Sequence, residues 1–239
     1  MALDTPRGWD EVFFEFNGDL IPDELTSTSD TGVIDTTSFV GRGSVLRIDN
    51  NNNGDNEMAE VDLGVLEYSV QDGQMVMEAR VKLERVISAV NVGFNDESTD
   101  SGNTLPVELS GTTWTSTAST WIGFVYDYDA TNKAWHVMWV DDDADSSTPI
   151  ATLNTGITAA ADVWYTMRVH LFDASTTTRA RTMFSISDGT NSWEYTADDT
   201  IDRDVNMTPH LAVENRAATG AYLDVDYLYA ARSRQNTAP

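Results

Sequence analysis

Side chains that carry oxygen recur between residues 49 and 60, in the stretch DNNNNGDNEMAE. Their spacing fits D-x-N-x-N-G-x5-E, a calcium-loop pattern in which oxygens at alternate positions converge around a glycine bend. Gly54 would make the bend, and Asp55 would contribute its backbone carbonyl. The candidate calcium ligands are Asp49, Asn51, Asn53, Asp55, Glu57 and Glu60. Calcium is therefore the one cofactor that this spacing indicates.

The residues around this loop do not match a helix–loop–helix calcium site. SVLRI (44–48) precedes the loop and VDLGVLEYSV (61–70) follows it, and both stretches are typical of strands. The eighth loop position, usually aliphatic, is Asn56. An oxygen-rich loop around a glycine can still chelate without helices, whereas a solvated polar turn explains the same residues in a chain rich in Asp and Asn. Both interpretations stay open at the level of the sequence.

Two further stretches concentrate carboxylates in turns, DYDATNK (127–133) and DDDADSS (141–147). Asp127 and Asp129 point to the same side if the strand before them continues that far. Calcium could bind there, but solvated loops on an acidic surface are the favoured interpretation.

Catalytic carboxylates would have to stand in pairs, because a retaining glycosidase holds two of them about 5–5.5 Å apart. In EVDLGVLE (60–67), Glu60 and Asp62 share a strand face by the two-residue period, but Glu67 falls on the opposite face. The sequence has no cysteine and no G-x-S-x-G motif. Its three histidines, His136, His170 and His210, lie in separate strands without metal-ligand spacing. We therefore predict that the protein is not an enzyme.

The charge balance excludes some classes of partner. Thirty-nine acidic residues face fourteen basic ones, which gives a formal net charge of −25. Such a surface repels the phosphates of nucleic acids and anionic lipids, so we expect neither nucleic acid nor a membrane as partner. At about 1 M salt the Debye length falls to about 3 Å and screens most of the self-repulsion. The composition is typical of a halophilic protein, and an ordinary acidic protein is the alternative.

Hydrophobic residues alternate with polar ones over several stretches, as in MVMEARVKLER (75–85), VWYTMRVHLF (163–172) and AYLDVDYLYA (221–230). In the last of these, Leu223, Val225, Tyr227 and Tyr229 are predicted to share one face. Further strands are predicted at 12–16, 44–48, 60–70, 87–95, 121–127, 135–140, 181–187, 192–197 and 209–215, and a hairpin turn at 188–191. About a dozen strands with short connections predict an all-β fold, a two-sheet antiparallel sandwich. No interdomain linker is visible, so residues 1–232 are predicted to form a single domain and residues 233–239 a flexible tail.

Tryptophans offer a second kind of site. Trp114, Trp121, Trp135, Trp139, Trp164 and Trp193 could stack on sugars from one face of a sheet. Large aromatic residues at alternate positions more often fill the space between two sheets, and for most of these tryptophans the core is the favoured interpretation.

Three segments resemble the concanavalin-A-like sandwich domains of lectins, glucanases and laminin-G-like proteins. MEARVKLERVISAVNVGFNDE (77–97) looks like one of their strand pairs, and residues 121–173 look like their central hairpin with the strand after it. TPHLAVENRAATGAYLDVDYLYAAR (208–232) resembles their closing strands. The resemblance implies a jelly-roll sandwich. It transfers no catalytic residue, because the carboxylate motif of the enzymatic members is incomplete here.

This combination is similar to structural proteins of the virions of tailed viruses, and with the acidic composition it points to a haloarchaeal virus. The resemblance implies a non-enzymatic capsid decoration protein, a cement or turret component that binds the major capsid protein or its own copies as a homo-oligomer. The alternative is a glycan-binding adhesin on a virion spike or tail appendage, with a host surface glycan as ligand. The N-terminus lacks the pattern of a secretory signal, so we expect synthesis in the host cytoplasm and a final location in the virion.

Overall fold

The computed structural model describes residues 9–16, 21–29, 33–39, 43–49, 54–97, 104–142, 151–173 and 178–233. The strands are β1 Trp9–Glu15, β2 Thr26–Ser29, β3 Val33–Phe39, β4 Gly43–Asp49, β5 Met58–Asp62, β6 Met75–Leu83, β7 Ser88–Asn95, β8 Val107–Ser110, β9 Thr113–Ser116, β10 Trp121–Asp127, β11 Ala134–Val140, β12 Ala151–Thr158, β13 Trp164–Asp173, β14 Ala180–Ser187, β15 Ser192–Ala197, β16 Thr208–Asn215 and β17 Tyr222–Ser233. A single 3-10 turn, Val70–Asp72, is the one helical element within the described ranges. None of the described helix is long and apolar enough to cross a membrane.

Two large antiparallel sheets account for most of these strands. The first has the order β15-β14-β13-β6-β17-β4-β3, with β1 also paired to β17, and the second has the order β12-β11-β10-β7-β16-β5-β2. The predicted all-β, two-sheet antiparallel sandwich is therefore confirmed. A separate two-stranded hairpin, β8-β9, adds a third small layer.

The core between the two sheets follows the alternation visible in the sequence. In β6, Met75, Met77, Ala79, Val81 and Leu83 are fully buried, whereas Glu78, Arg80 and Lys82 face outward and are half-buried. Strand β7 supplies Val90, Val92 and Phe94 from the opposing sheet. Each large apolar side chain removed from water in this way stabilises the fold by about 1.5–3 kcal/mol.

The predicted face of the last strand is wrong after Val225. The pairing of β17 with β6 shifts by one residue between Val225 and Tyr227, which is a β-bulge. Because a one-residue shift exchanges the two faces of a strand, Leu228 and Ala230 continue the core, and Tyr227 moves to the outer side. There the Tyr227 ring packs on Phe13 of β1, with 5.7 Å between ring centroids.

The strand predicted over 60–70 is also wrong at its C-terminal end, because β5 ends at Asp62. Gly64 has a φ of +67°, a left-handed conformation that strands do not use, and its N–H donates to the Asp62 carboxylate. The hairpin turn predicted at 188–191 is confirmed, since Asp188 N–H bonds to the Asn191 carbonyl at 3.2 Å.

The β8–β9 hairpin covers part of the outer face of the seven-stranded sheet. Val107 and Ala118 join Trp121, Val125 and Met138 in a small apolar cluster that is separate from the main core. The backbone of Val107 exchanges two hydrogen bonds with the Asn91 side chain, at 2.9 and 3.0 Å. Polar residues that would otherwise face water on this sheet are therefore buried beneath the hairpin.

Candidate functional site

A pocket of about 260 Å³ opens between the tip of the β8–β9 hairpin and the turn that joins β10 to β11. Its wall and floor include Gly111, Thr112, Trp114, Asp129, Asn132 and His136. We call this cavity the Trp114 pocket. Its volume suits one sugar ring rather than a long substrate, and binding pockets of this kind combine an aromatic wall with a few placed polar groups.

One wall of the pocket depends on a tight hairpin turn. Ser110 pairs with Thr113, so the loop has only two residues, and Gly111 at its first position has a φ of +64°. A glycine at this position with positive φ is what a type II′ hairpin turn requires. The hairpin is tied to the sheet beneath by Leu109, whose N–H donates to the Asp127 carboxylate at 3.1 Å.

The opposite wall is the β10–β11 turn, which Asp127 organises. One carboxylate oxygen of Asp127 accepts the Asp129 N–H at 2.9 Å, and its carbonyl accepts the Ala130 N–H at 3.2 Å. Asp127 is buried, whereas Asp129 and Asn132 are exposed at the rim of the pocket. The two aspartates that the sequence placed in one turn therefore have different roles: Asp127 holds the turn, and Asp129 is available to a ligand.

The floor of the pocket is His136, on β11. Its side chain is 9% exposed and its ring lies 5.7 Å from the half-buried ring of Trp114. Within the described residues, Nδ1 of His136 has no partner that meets hydrogen-bond geometry. Burial lowers the pKa of His136, so the ring is neutral near pH 7. Nδ1 is also inaccessible to water, so the polar atoms that a ligand can reach belong to the exposed residues of the rim, such as Asp129 and Asn132.

Beside the pocket lies a buried ion cluster centred on Arg216, whose side chain is 5% exposed. The guanidinium donates to Asp127 at 2.7 Å, to Glu108 at 3.3 Å and to Glu214. Burial raises the pKa of Glu214 to about 7, and Arg216 opposes that rise. The cluster joins β8, β10 and β16, so it fixes the hairpin wall of the pocket to the sheet.

The carboxylates considered for catalysis lie on the same outer face. Glu60 and Asp62 do share that face, as their spacing predicts, but each is only 1% exposed. Glu60 is bonded to Nε2 of His210 at 2.9 Å, and burial raises the pKa of Asp62 to about 6. Glu67 lies outside β5 and pairs with Arg232 at the surface. Glu60, Asp62 and Glu67 thus form no open pair that could flank a glycosidic bond.

The predicted calcium loop is only partly described. Asp49 ends β4, Asp55 is exposed, and the Glu57 carbonyl accepts the Asn215 N–H at 3.0 Å. Asn51 and Asn53 lie outside the described residues, and Glu60 is already engaged by His210. In the described ranges no group of three or more His, Asp or Glu side chains could hold a metal ion. Calcium at residues 49–60 stays a prediction.

Most of the tryptophans do lie in apolar clusters. Trp135 is fully buried between the sheets, Trp139 and Trp193 pack against that core, and Trp121 is buried under the hairpin. Trp114, which was one of six candidates for sugar stacking, is the one that lines the pocket. His136 was predicted to lie in a strand without metal-ligand spacing, and no short-range signal in the sequence relates it to Trp114.

Comparison with known proteins identifies the fold. No protein-family model matches the sequence, and no curated protein is similar to it. Peanut lectin superposes with a TM-score of 0.62 at 11% identity, over 94% of this chain and 98% of the lectin. An endo-1,3-beta-glucanase from Streptomyces sioyaensis gives a TM-score of 0.57 at 13% identity, over 98% of this chain and 100% of the glucanase. A protein of unknown function from Shewanella oneidensis MR-1 superposes with a TM-score of 0.63 at 11% identity, over 100% of this chain and 92% of that protein. The chain therefore has the concanavalin-A-like sandwich fold.

Proposed function

We propose that this protein is a carbohydrate-binding domain that holds a single sugar residue in the Trp114 pocket and performs no chemistry on it. The observation that carries the proposal is the placement of Trp114 next to the buried His136, with Asp129 and Asn132 at the rim. An aromatic face supplies apolar contact for a sugar ring, and the polar groups supply hydrogen bonds to its hydroxyls.

Lectins recur among the proteins of similar structure, and this supports binding over catalysis. They include peanut lectin, the carbohydrate recognition domain of Emp46p and a legume lectin-like domain from Entamoeba histolytica. The glucanase shows that the same fold also supports hydrolysis, so fold alone does not decide. The burial of Glu60 and Asp62 favours the non-enzymatic alternative, because catalytic carboxylates must reach the substrate.

A virion location is the further part of the proposal and rests on the sequence resemblance alone. A glycan-binding domain of this kind would act on a spike or tail appendage, with a host surface glycan as ligand. Capsid decoration, with the major capsid protein or other copies as partners, is the alternative placement. Mass spectrometry of purified virions would distinguish them, since a decoration protein has copy numbers that follow the capsid lattice.

The binding proposal is tested by titrating the protein with methyl glycosides of glucose and galactose, observed by ligand-detected NMR. Trp114→Ala should abolish binding, because the apolar wall is removed. Trp193→Ala is the matched control, since Trp193 is also half-buried but lies on β15 of the other sheet. Equal binding by the wild type and Trp114→Ala would exclude this pocket. Release of a reducing sugar from a glycan by the wild type would exclude a purely binding role.

A further inference from the structure

We infer that the Trp114 pocket prefers a sugar with a free, protonated amino group, that is, an unacetylated amino sugar, over neutral and anionic sugars. This inference rests on the proposed function, because it specifies the ligand of the same pocket. It follows from three features of the pocket: an unpaired carboxylate, an aromatic face in the same lining, and the absence of lysine and arginine from the described residues that line it.

The unpaired carboxylate belongs to Asp129. It is exposed at the rim, and in the part of the chain that the structure describes its oxygens take part in no ion pair. Asp127, two residues earlier, is in contrast paired with Arg216. A carboxylate held in place by a tight turn and left without a counter-ion is a partner for a cationic group of a ligand.

The aromatic face belongs to Trp114. A cation within about 6 Å of an indole ring is attracted by the negative face of the ring, and tryptophan is the strongest of the aromatic residues in this respect. Trp114 and Asp129 line the same pocket. An ammonium group between them would therefore meet two favourable partners, whereas an acetylated nitrogen or a hydroxyl has no charge to offer.

No lysine or arginine is among the described residues that line the pocket, and the two cations close to it have other contacts. Nζ of Lys133 lies 4.0 Å from the ring centroid of Tyr128, and Arg216 is held by Glu108, Asp127 and Glu214. His136 is neutral because burial lowers its pKa. In a chain with a formal net charge of −25, a uronate or sulfated sugar would meet repulsion from Asp129 and no cationic side chain in the pocket lining.

Four methyl glycosides test the inference at pH 7 and moderate salt: the glucoside, and the glucosaminide, N-acetylglucosaminide and glucuronide, each of which differs from it in one group. The same four of the galactose series are tested beside them. Dissociation constants come from ligand-detected NMR. The wild type should bind an amino sugar about fivefold more tightly than the matching neutral sugar, which is the scale of one partly exposed charge pair. The glucuronide should bind most weakly.

Asp129→Asn is the decisive variant because it removes the charge and keeps the shape. It should lose most of the preference for the amino sugar, with only the contribution of the Trp114 face remaining, and its affinity for the neutral sugar should be unchanged. Glu194→Gln, which removes one exposed negative charge from β15 of the other sheet, should keep the fivefold preference. Thermal melts of both variants check that the fold is retained.

The possible outcomes separate this inference from the proposed function. Binding of neutral sugars at least as tight as that of amino sugars, or an unchanged preference in Asp129→Asn, would overturn the inference and leave sugar binding in place. Equal binding of 2-aminoethanol would also overturn it, because the pocket would then recognise an amine and not a sugar. Failure of all eight glycosides would contradict the proposed function itself.

Discussion

The outer faces of the two large sheets both carry polar residues at every second position, but they differ in what lies over them. On the eight-stranded sheet, Arg168 pairs with Glu78 at 3.5 Å and Arg80 with Asp226 at 2.5 Å, and these four side chains remain partly exposed. On the seven-stranded sheet, the β8–β9 hairpin covers part of the face. There Arg216, Asp127 and Glu214 are shielded from water, and only the third carboxylate of the cluster, Glu108, is partly exposed.

The two faces therefore carry polar residues of two kinds: those that are solvated at an open surface, and those whose buried contacts stabilise the walls of a pocket. Exposed ion pairs contribute between about 0 and 1 kcal/mol to stability, because water and salt compete for both partners. Water and salt do not reach a charge that is buried under the hairpin. Removing the partner of such a charge therefore lowers the stability of the fold far more. The Trp114 pocket is built at the edge of the covered region, where the hairpin wall is fixed by buried ions and the rim is open.

We expect the largest effect on stability from removing the central cation of the covered face. Arg216→Met leaves Glu108, Asp127 and Glu214 together without a counter-ion, and we expect a loss of about 3–5 kcal/mol in the free energy of unfolding. Arg181→Met is the control on the open face, where Arg181 is 47% exposed and pairs with Asp198, and its cost should stay below about 1 kcal/mol. Urea unfolding measures both. Similar losses in the two variants would show that the cover makes no difference.

We expect a smaller change in the free energy of unfolding when the pH is raised through the titration range of Glu214. Burial raises the folded-state pKa of Glu214 to about 7 from an ordinary value of 4.5, so the folded state holds this proton more tightly than the unfolded state. As pH rises from about 4.5 to 7 the unfolded state loses the proton first, and this carboxyl makes stability fall. Between pH 5 and 8 the wild type should lose on the order of 1–3 kcal/mol more than Glu214→Gln.

Urea unfolding across the pH range measures this difference. The pKa of Asp62 is raised in the same direction, but Asp62 is present in both proteins and its contribution cancels. Glu194→Gln, on the open face, should follow the wild-type curve. Parallel curves for the wild type and Glu214→Gln would contradict the raised pKa.

We expect the smallest effect on stability from a substitution in the β8–β9 hairpin turn, which should also change sugar binding. Gly111→Ala places a side chain at a φ of +64° and should cost about 1–2 kcal/mol. Gly189 has a φ of +85° in the β14–β15 turn, so Gly189→Ala should have a similar cost in a turn that does not line the pocket. Only Gly111→Ala should also weaken sugar binding. Equal sugar affinity in both variants would show that the hairpin turn does not shape the pocket.

The sequence predicts the long strands well because their alternation extends over many residues. Strands β6 and β13 lie where residues 75–85 and 163–172 alternate, and their buried faces are those expected. The short strands β8 and β9, four residues each, were not predicted, because a four-residue stretch around Gly111 and Thr112 shows too little alternation. The bulge in β17 was missed as well, since nothing in a strictly alternating stretch signals an extra residue.

The site was less predictable than the fold. In the sequence, Trp114 is a candidate for sugar stacking and Asp129 for calcium binding, whereas His136 lacks metal-ligand spacing. Their proximity depends on the hairpin folding over β10 and β11, which is a long-range contact that local spacing does not encode. The E-x-D spacing of Glu60 and Asp62 correctly predicts a shared face but not that the face is covered.

The central claim is that this fold holds a sugar at one pocket and leaves it intact. The most direct measurement follows the indole N–H resonances of all seven tryptophans during titration with an amino sugar. We expect a saturable shift for Trp114 that is much larger than for any other tryptophan, with the sugar recovered unchanged. Shifts confined to other tryptophans, no saturable shift, or a cleaved glycoside would contradict it.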